Sequence, residues 1–399
     1  MLINFDPSAP LSGRRVVVTG VGAVTCAGAG ADALWNALLK GQAPLSRRVP
    51  EFPTEHLGGP KELRRLDPFT LYALAAADEA WLQSGLEATH DNAASVIATG
   101  IGGLQTLTDQ LEVLNTKGAN RVSPFMIPMM MPNAASAAIS LRFGLRGPCE
   151  TITTACAAGT HAIGYAARLI ATGRVDVAVT GGAEAVMTPV AEAGFANMTA
   201  LSNSGVSRPF DVARDGFVMG EGAGALVLES LEHAQRRGAT ILAEISGASS
   251  SADAHHITAP DPEAGGAISA IEWALRDAGL HASDIAHVNA HGTSTPLNDA
   301  AESRAIAHVF SGHQPAVTSV KGYLGHSLAA AGAIEAVVAV QTLIHQLVPP
   351  TCGTQNVDPD LSVDVVTGSA RTVVMNHVLS NSFGFGGHNG CLIVSRANQ

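Results

Sequence analysis

Runs of β-branched residues alternate with Ala- and Gly-rich stretches of helical spacing along most of the chain, and this alternation constrains the fold more than any other feature. RRVVVTGVG (14–22), ASVIATGIGG (94–103), VDVAVTGGAEA (175–185), GALVLES (224–230), ILAEISGASSS (241–251) and IAHVNAHGTS (285–294) read as strands. ADALWNALLKG (31–41) has apolar residues at helical spacing and is closed by Gly. DPFTLYALAAADEAWLQSG (67–85) repeats that plan behind an Asp-Pro start. Strands that are apolar throughout, separated by helices, predict an α/β architecture with buried sheets. A weak internal echo adds to this. CETITTACAAGTHAIGYAARLIATG (149–173) and AVTSVKGYLGHSLAAAGAIEAVVAVQTLI (316–344) each run from strand through a polar junction into a small-residue helix. The expected organisation is two similar halves, 1–240 and 241–399.

Composition narrows the function classes. The chain has 399 residues, 46% hydrophobic and only 14% charged, which is enough for a large core and rules out disorder and long coiled coils. A net charge of −11 disfavours general binding to nucleic acid or to an anionic membrane surface. Five cysteines without a CxxC pair predict a reduced, cytoplasmic chain with no metal site. The first residues, MLINFDPSAPLSGRR, have no apolar core and do not read as a leader peptide. The greasiest stretch, AAAGAIEAVVAV, is interrupted by Glu335, so no membrane span is expected.

Four short segments carry chemistry. In TTACAAG (153–159), Cys156 follows a strand and opens a helix, where the macrodipole and free N–H groups are expected to lower a thiol's pKa. A small cysteine packed in an Ala-rich core fits the same pattern. In NAHGTSTPLND (289–299), His291 stands at a strand end, with Asp299 and Glu302 following at the start of a helix. In SVKGYLGHS (319–327), Lys321 and His326 share one loop, and Glu335 in the next helix is a candidate partner for a buried lysine. NSFGFGGHN (381–389) is a Gly- and Phe-rich loop between strand-like runs. It lacks a nucleotide-loop order, and it reads either as backbone approaching a ligand beside a phenyl gate or as an aromatic hairpin.

Taken together, these segments resemble the elongating, type II β-ketoacyl-acyl-carrier-protein synthases. The resemblance rests on VVVTGVG, LRGPCETITTACAAG, TGGAEA, SRPFDVARDGFVMGEGAGALVLE, NAHGTSTPLND, KGYLGHSLAAAGAIE and NSFGFGGHNG, spread from residue 16 to about residue 390. It implies the thiolase fold, two βαβ-type halves stacked as five α-β-α-β-α layers. It also implies a decarboxylative Claisen condensation between an acyl group on Cys156 and malonyl carrier protein. In that scheme His291 and His326 would serve the decarboxylation, Lys321 would act on His326's surroundings with Glu335 as partner, and Phe385 would contribute a backbone N–H and a gate. Thr293, Thr295, Phe195, Phe383 and Glu335 would meet substrate. The substrates ride on the phosphopantetheine of the carrier protein, so no cofactor, metal or nucleotide is implied.

The resemblance further implies carrier docking on Lys61, Arg64 and Arg65, with Arg121 extending the patch, and three cations on one face if the segment is helical. It implies a homodimer, with Met129, Met130 and Met131 near the acyl pocket, or a heterodimer with a chain-length-factor-like subunit. A degradative thiolase would need a second catalytic cysteine, and an initiating synthase an Asn in place of His326. The chain departs from the family in His388, where Thr is usual, in Tyr323 and Leu324, and in a short 44–60 segment. The pathway stays open between fatty acid and type II polyketide or polyene elongation.

Overall fold

Val16–Thr25 is buried at all ten positions, which is why it reads as a continuous apolar run and not as an alternating one. It is β1 in the structure, a computed structural model that describes residues 13–87 and 92–397. Residues 1–12 of the stretch read above as carrying no leader lie outside the described residues. The other strands that matter are β2 (Ala93–Ala98), β3 (Val177–Glu184), β4 (Gly222–Ser230), β5 (Ala243–Ala252), β6 (His287–Asn289), β7 (Ala316–Thr318), β8 (His377–Gly384) and β9 (His388–Ser395). Their order across the sheet is β7-β6-β8-β9-β5-β1-β4-β3-β2. The strands before residue 231 thus form one run and those after residue 242 another. Among the described strands, the two runs pair through the short β1–β5 ladder, Val17 opposite Glu244 and Val18 opposite Ala243.

The helices lie in three layers around these runs. α1 (Pro68–Ser84) and α2 (Ala134–Phe143) cover the outer face of the N-terminal strands. α4 (Gly265–Ala278) covers the outer face of the C-terminal strands, with α5 (Pro296–Val309) packed against it. Between the runs lie α3 (Ala158–Ala171) and α6 (Ala331–His345), each touching strands of both. The result is the α-β-α-β-α stack of the thiolase fold. The central layer explains the small residues. A Cβ on Gly224 of β4 would lie 2.5 Å from the Ala333 carbonyl carbon of α6, so strand and helix backbones are almost in contact. The stretch Leu328–His345 is long and apolar enough to cross a membrane by length, yet 89% of it is buried inside the protein.

This topology gathers the polar junctions. β6, β7 and β8 are parallel neighbours, so the segments after Asn289, Thr318 and Gly384 leave the sheet at the same edge, where open α/β sheets place their sites. Two expectations need correction. The strand before Cys156 is limited to Cys149–Glu150, paired with Ser95 and Val96 at the far edge of the sheet. The Gly-rich loop contracts to a three-residue turn, because β8 and β9 pair antiparallel down to Gly384 opposite His388.

Candidate active site

Cys156 sits at a sharp elbow. Ala155 before it has φ +49°, a left-handed conformation that costs an L-residue about 1 kcal/mol or more and persists where the surroundings enforce it. α3 begins two residues later, at Ala158. The sulfur is buried, packed with Val186, Phe217, Met219 and Leu328. The backbone N–H groups of Phe385 and of Cys156 itself face it. The expectation of a lowered thiol pKa is reversed: burial pushes the thiol up to about 11, Glu184 adds to the rise, and Lys321 and the two N–H groups offset only part of it. Desolvation outweighs the helix terminus because the cysteine precedes the helix and is only 5% exposed.

Two imidazoles complete the centre. The sulfur of Cys156 and a ring nitrogen from each of His291 and His326 all lie within 4.8 Å of one another. The two rings stand edge to face, their centroids 5.3 Å apart. Phe217 stacks edge-on against His326 at 5.5 Å, and Phe383 against His291 at 6.0 Å. Both imidazoles are held well below the ordinary histidine range, first by burial and then by the nearby charge of Lys321. They are therefore neutral at pH 7, each with one N–H to donate. Their Nδ1 atoms have no hydrogen-bond partner among the described residues. A thiol and two imidazoles are also a soft-metal ligand set in kind.

Behind the histidines, Lys321 Nζ pairs with Glu335 Oε1. Both side chains are almost fully buried. Burial pushes the Glu335 carboxyl up to about 7 against the pull of Lys321. Glu335 does not line the cavity, so its place among the substrate-contacting residues is corrected: it anchors Lys321. Glu302 does work that the sequence did not assign. Its carboxylate accepts the N–H of His291 at 2.8 Å and of Gly292 at 2.7 Å, and Asn381 Nδ2 at 3.1 Å. An acid three residues after Asp299 in the same helix, eleven positions after the histidine, was the available signal. Phe217 was missed as well, because a phenylalanine beside glycines carries no chemical label.

The centre opens into a cavity of about 540 Å³. Phe195, Thr293, Thr295, Phe383 and Phe385 line it with the Cys-His-His trio, and Pro260 and Leu297 stand farther along its wall. Thr293 and Thr295 share a hydroxyl hydrogen bond of 2.9 Å. Phe195 meets Phe217 edge to face at 5.4 Å. Met129, Met130 and Met131 do not line this cavity, and Met131 is exposed on the surface. Lys61, Arg64 and Arg65 are exposed, as is Arg121. The helix expected under the three cations is a single turn, Pro60–Leu63, that ends before Arg64, with the Arg65 guanidinium lying 4.0 Å from the Phe125 ring centroid. The short 44–60 segment reaches the Lys321 turn, where Arg47 donates to the Gly322 carbonyl at 3.5 Å.

Comparison with known proteins agrees with this geometry. Residues 53–234 match the β-ketoacyl synthase N-terminal domain and residues 242–355 the β-ketoacyl synthase C-terminal domain. The chain is 44% identical to a 3-oxoacyl-(acyl-carrier-protein) synthase 2 of Synechocystis sp., over 96% of this chain and 98% of that one. It resembles the structure of the ishigamide ketosynthase/chain length factor with a TM-score of 0.91 at 35% identity, covering 97% of this chain and 100% of that one. A type II polyketide synthase carrier protein in complex with its hexaketide-bound ketosynthase also matches, with a TM-score of 0.88 at 31% identity and the same coverage.

Proposed function

The chain belongs to the β-ketoacyl synthase family, and on that premise we propose how its residues divide the condensation between them. The enzyme is an acyltransferase that condenses an acyl thioester with malonyl carrier protein. In the first half-reaction the Cys156 sulfur attacks the acyl carbonyl of an acyl carrier protein. A tetrahedral oxyanion forms, the carrier thiolate leaves and takes a proton, and the acyl group stays on Cys156. The N–H groups of Cys156 and Phe385 are the donors for that oxyanion. A thiol of pKa about 11 is scarce as thiolate at pH 7, so the proton must leave as the substrate arrives, with a neutral imidazole within reach to take it.

In the second half-reaction malonyl carrier protein enters the vacated cavity. The bond to its carboxylate breaks, CO₂ leaves, and the electron pair passes into the thioester as an enolate. His291 and His326, kept neutral by burial and Lys321, each donate an N–H to the enolate oxygen. The enolate carbon attacks the acyl carbonyl, a C–C bond forms, and Cys156 leaves as thiolate. Lys321, held by Glu335, keeps the two imidazoles uncharged. Thr293 and Thr295 accompany the pantetheine arm, while Phe195, Phe383 and Phe385 shape the wall and gate.

The observation that carries this reading is the convergence of one sulfur and two neutral imidazoles at the end of an apolar-walled cavity. Lys61, Arg64 and Arg65 dock the carrier protein, and the enzyme works in the cytoplasm without a resident cofactor. Residues 1–240 and 241–399 act as two halves of one stack. Exposed Ile127, Met131 and Leu141 support burial against a second subunit, in the first instance another copy of the chain. The likeness to the ishigamide pair favours a second reading, in which the chain is the catalytic half of a heterodimer in secondary metabolism. Purified chain incubated with acyl carrier proteins of graded length and unsaturation tests both. An adduct mapped to Cys156 and a β-ketoacyl product from the chain alone are expected. No adduct overturns the enzyme assignment, and product only after a partner subunit is added selects the heterodimer.

A further inference from the structure

The two oxyanion donors belong to different halves of the molecule. Cys156 N–H belongs to the elbow before α3, and Phe385 N–H belongs to the turn between β8 and β9. A donor pair works only if both groups point at one oxygen position, so something must fix the elbow against the turn. We propose that His161 does this, as a positioning residue that ties the nucleophile elbow to the strand leaving the Phe385 turn. The inference rests on the reading of those two N–H groups as the acyl-transfer donors.

His161 lies in the first turn of α3. Its Nδ1 is 2.7 Å from Thr154 Oγ1, two residues before the nucleophile. Its Nε2 is 3.1 Å from the Asn389 carbonyl oxygen on β9. A carbonyl oxygen only accepts, so Nε2 carries the hydrogen, Nδ1 is the acceptor, and Thr154 donates to it. These directions are those of the neutral ring. Burial, with His388 and Arg168 nearby, holds this imidazole below its ordinary range.

The ring sits in a slot that leaves no room for a side chain opposite. A Cβ on Gly390 would lie 2.8 Å from His161 Nε2. The far end of the link is itself rigid. Asn389 Nδ2 donates to Asp253 Oδ1 at 2.7 Å, and the Asp253 N–H donates to the Gly387 carbonyl in the turn at 2.9 Å. A second contact, Thr160 Oγ1 to Ser382 Oγ at 2.7 Å, fixes α3 against β8 but does not reach the elbow. His161 thus links Thr154, two residues before Cys156, to the turn by hydrogen bonds, beside the close backbone packing of the elbow on Gly384, where a Cβ would lie 3.0 Å from the Cys156 nitrogen.

The two half-reactions separate this role from a merely structural one. In His161→Ala, acyl transfer to Cys156, followed by mass, should fall about 10- to 100-fold, the scale of a misaimed oxyanion donor. CO₂ release from malonyl carrier protein, which His291 and His326 serve, should stay within about threefold. His161→Gln, which can still donate toward Asn389, should recover part of the acyl transfer. Thr154→Val removes the donor at the other end with little change of shape, so it should reproduce the defect and add little to His161→Ala. It decides the matter alone if His161→Ala does not fold. Unchanged acyl transfer in these variants, or an equal fall in both half-reactions, overturns the proposal. A wild-type chain that never acylates Cys156 overturns instead the reading beneath it.

Discussion

The two junctions that feed the central helices make an instructive pair. Each runs from a short strand into a small-residue helix in the middle layer, and each delivers side chains to the same cavity. The N-terminal junction is the shorter, running from Glu150 to α3 at Ala158 and ending in a tight elbow of Thr154, the strained Ala155 and Cys156. The C-terminal junction takes a longer course from Thr318 to Ala331, through a helical turn at Lys321–Leu324 and a 3-10 turn at Leu328–Ala330. The difference follows from what each must present. A nucleophile that forms an oxyanion needs backbone N–H groups within reach, and a tight elbow supplies them. His326, which faces Cys156 across the cavity, must be brought round to the other side, and that takes chain length.

The largest expected effect removes the first junction's chemistry outright. Cys156→Ala should abolish elongation, with no acyl adduct detectable by mass on any of the other four cysteines. A persistent adduct on that variant would break the comparison at its root. The second junction and its neighbouring strand end come next. His291→Ala and His326→Ala should each cut CO₂ release from malonyl carrier protein by about 100-fold or more, the scale of one lost oxyanion donor. Acylation of Cys156 should survive at least in part in each variant, because the other imidazole remains within reach to take the thiol proton. Variants that decarboxylate normally but cannot be acylated would exchange the roles assigned to the two junctions.

How much of this was legible in the sequence differs between the junctions in the same way. Alternation of strands and helices gave the layered stack, because strands buried on both faces leave an apolar signature. The strand ends at Asn289 and Thr318 carried polar residues into otherwise apolar runs, which singled out His291, Lys321 and His326, and the glycines around Phe385 singled out that residue. The electrostatic state of Cys156 was not legible. A helix start can be seen in sequence, but the wall of Val186, Phe217, Met219 and Leu328 that dries the sulfur is assembled from three separate segments. Glu302 could be placed at a helix start, but its role was not legible, for a related reason. Its partners are backbone N–H groups, and sequence does not show which loop folds over which carboxylate.

The titration of Cys156 sharpens that contrast. Its pKa of about 11 lies above the ordinary thiol value, so the resting enzyme holds it protonated and the thiolate fraction grows with pH. Alkylation of Cys156 by iodoacetamide should rise roughly tenfold per unit from pH 7 to pH 10, without levelling near 8.5 as a free cysteine does. Mass mapping of the alkylated residue against time gives the profile. A plateau below pH 8 would mean that the helix terminus and Lys321 outweigh burial after all, and that the elbow activates its thiol before substrate arrives.

The smallest expected effect concerns the approach to the cavity and not the chemistry inside it. The chain carries −11 overall, so an acidic carrier protein is repelled at long range and needs a local cationic patch within the Debye length of about 8 Å at physiological salt. Lys61, Arg64 and Arg65 offer one on an exposed single-turn helix and the turn that follows it, and Arg65 is partly fixed by lying over Phe125 at 4.0 Å. Charge reversal at Arg64 and Arg65 to Glu should raise the KM for carrier-bound substrates by roughly 3- to 10-fold and flatten its dependence on salt, with kcat little changed. The same variant should turn over a small pantetheine thioester at the wild-type rate, because that substrate reaches the cavity without touching the patch. Equal losses on both substrates would show that the segment supports the fold, through the Phe125 contact, and does not receive a partner. Replacing Phe125 with Leu separates the two cases further: it removes the stacking but keeps the charges, so a docking patch should lose no more than about 1 kcal/mol, or about fivefold in KM.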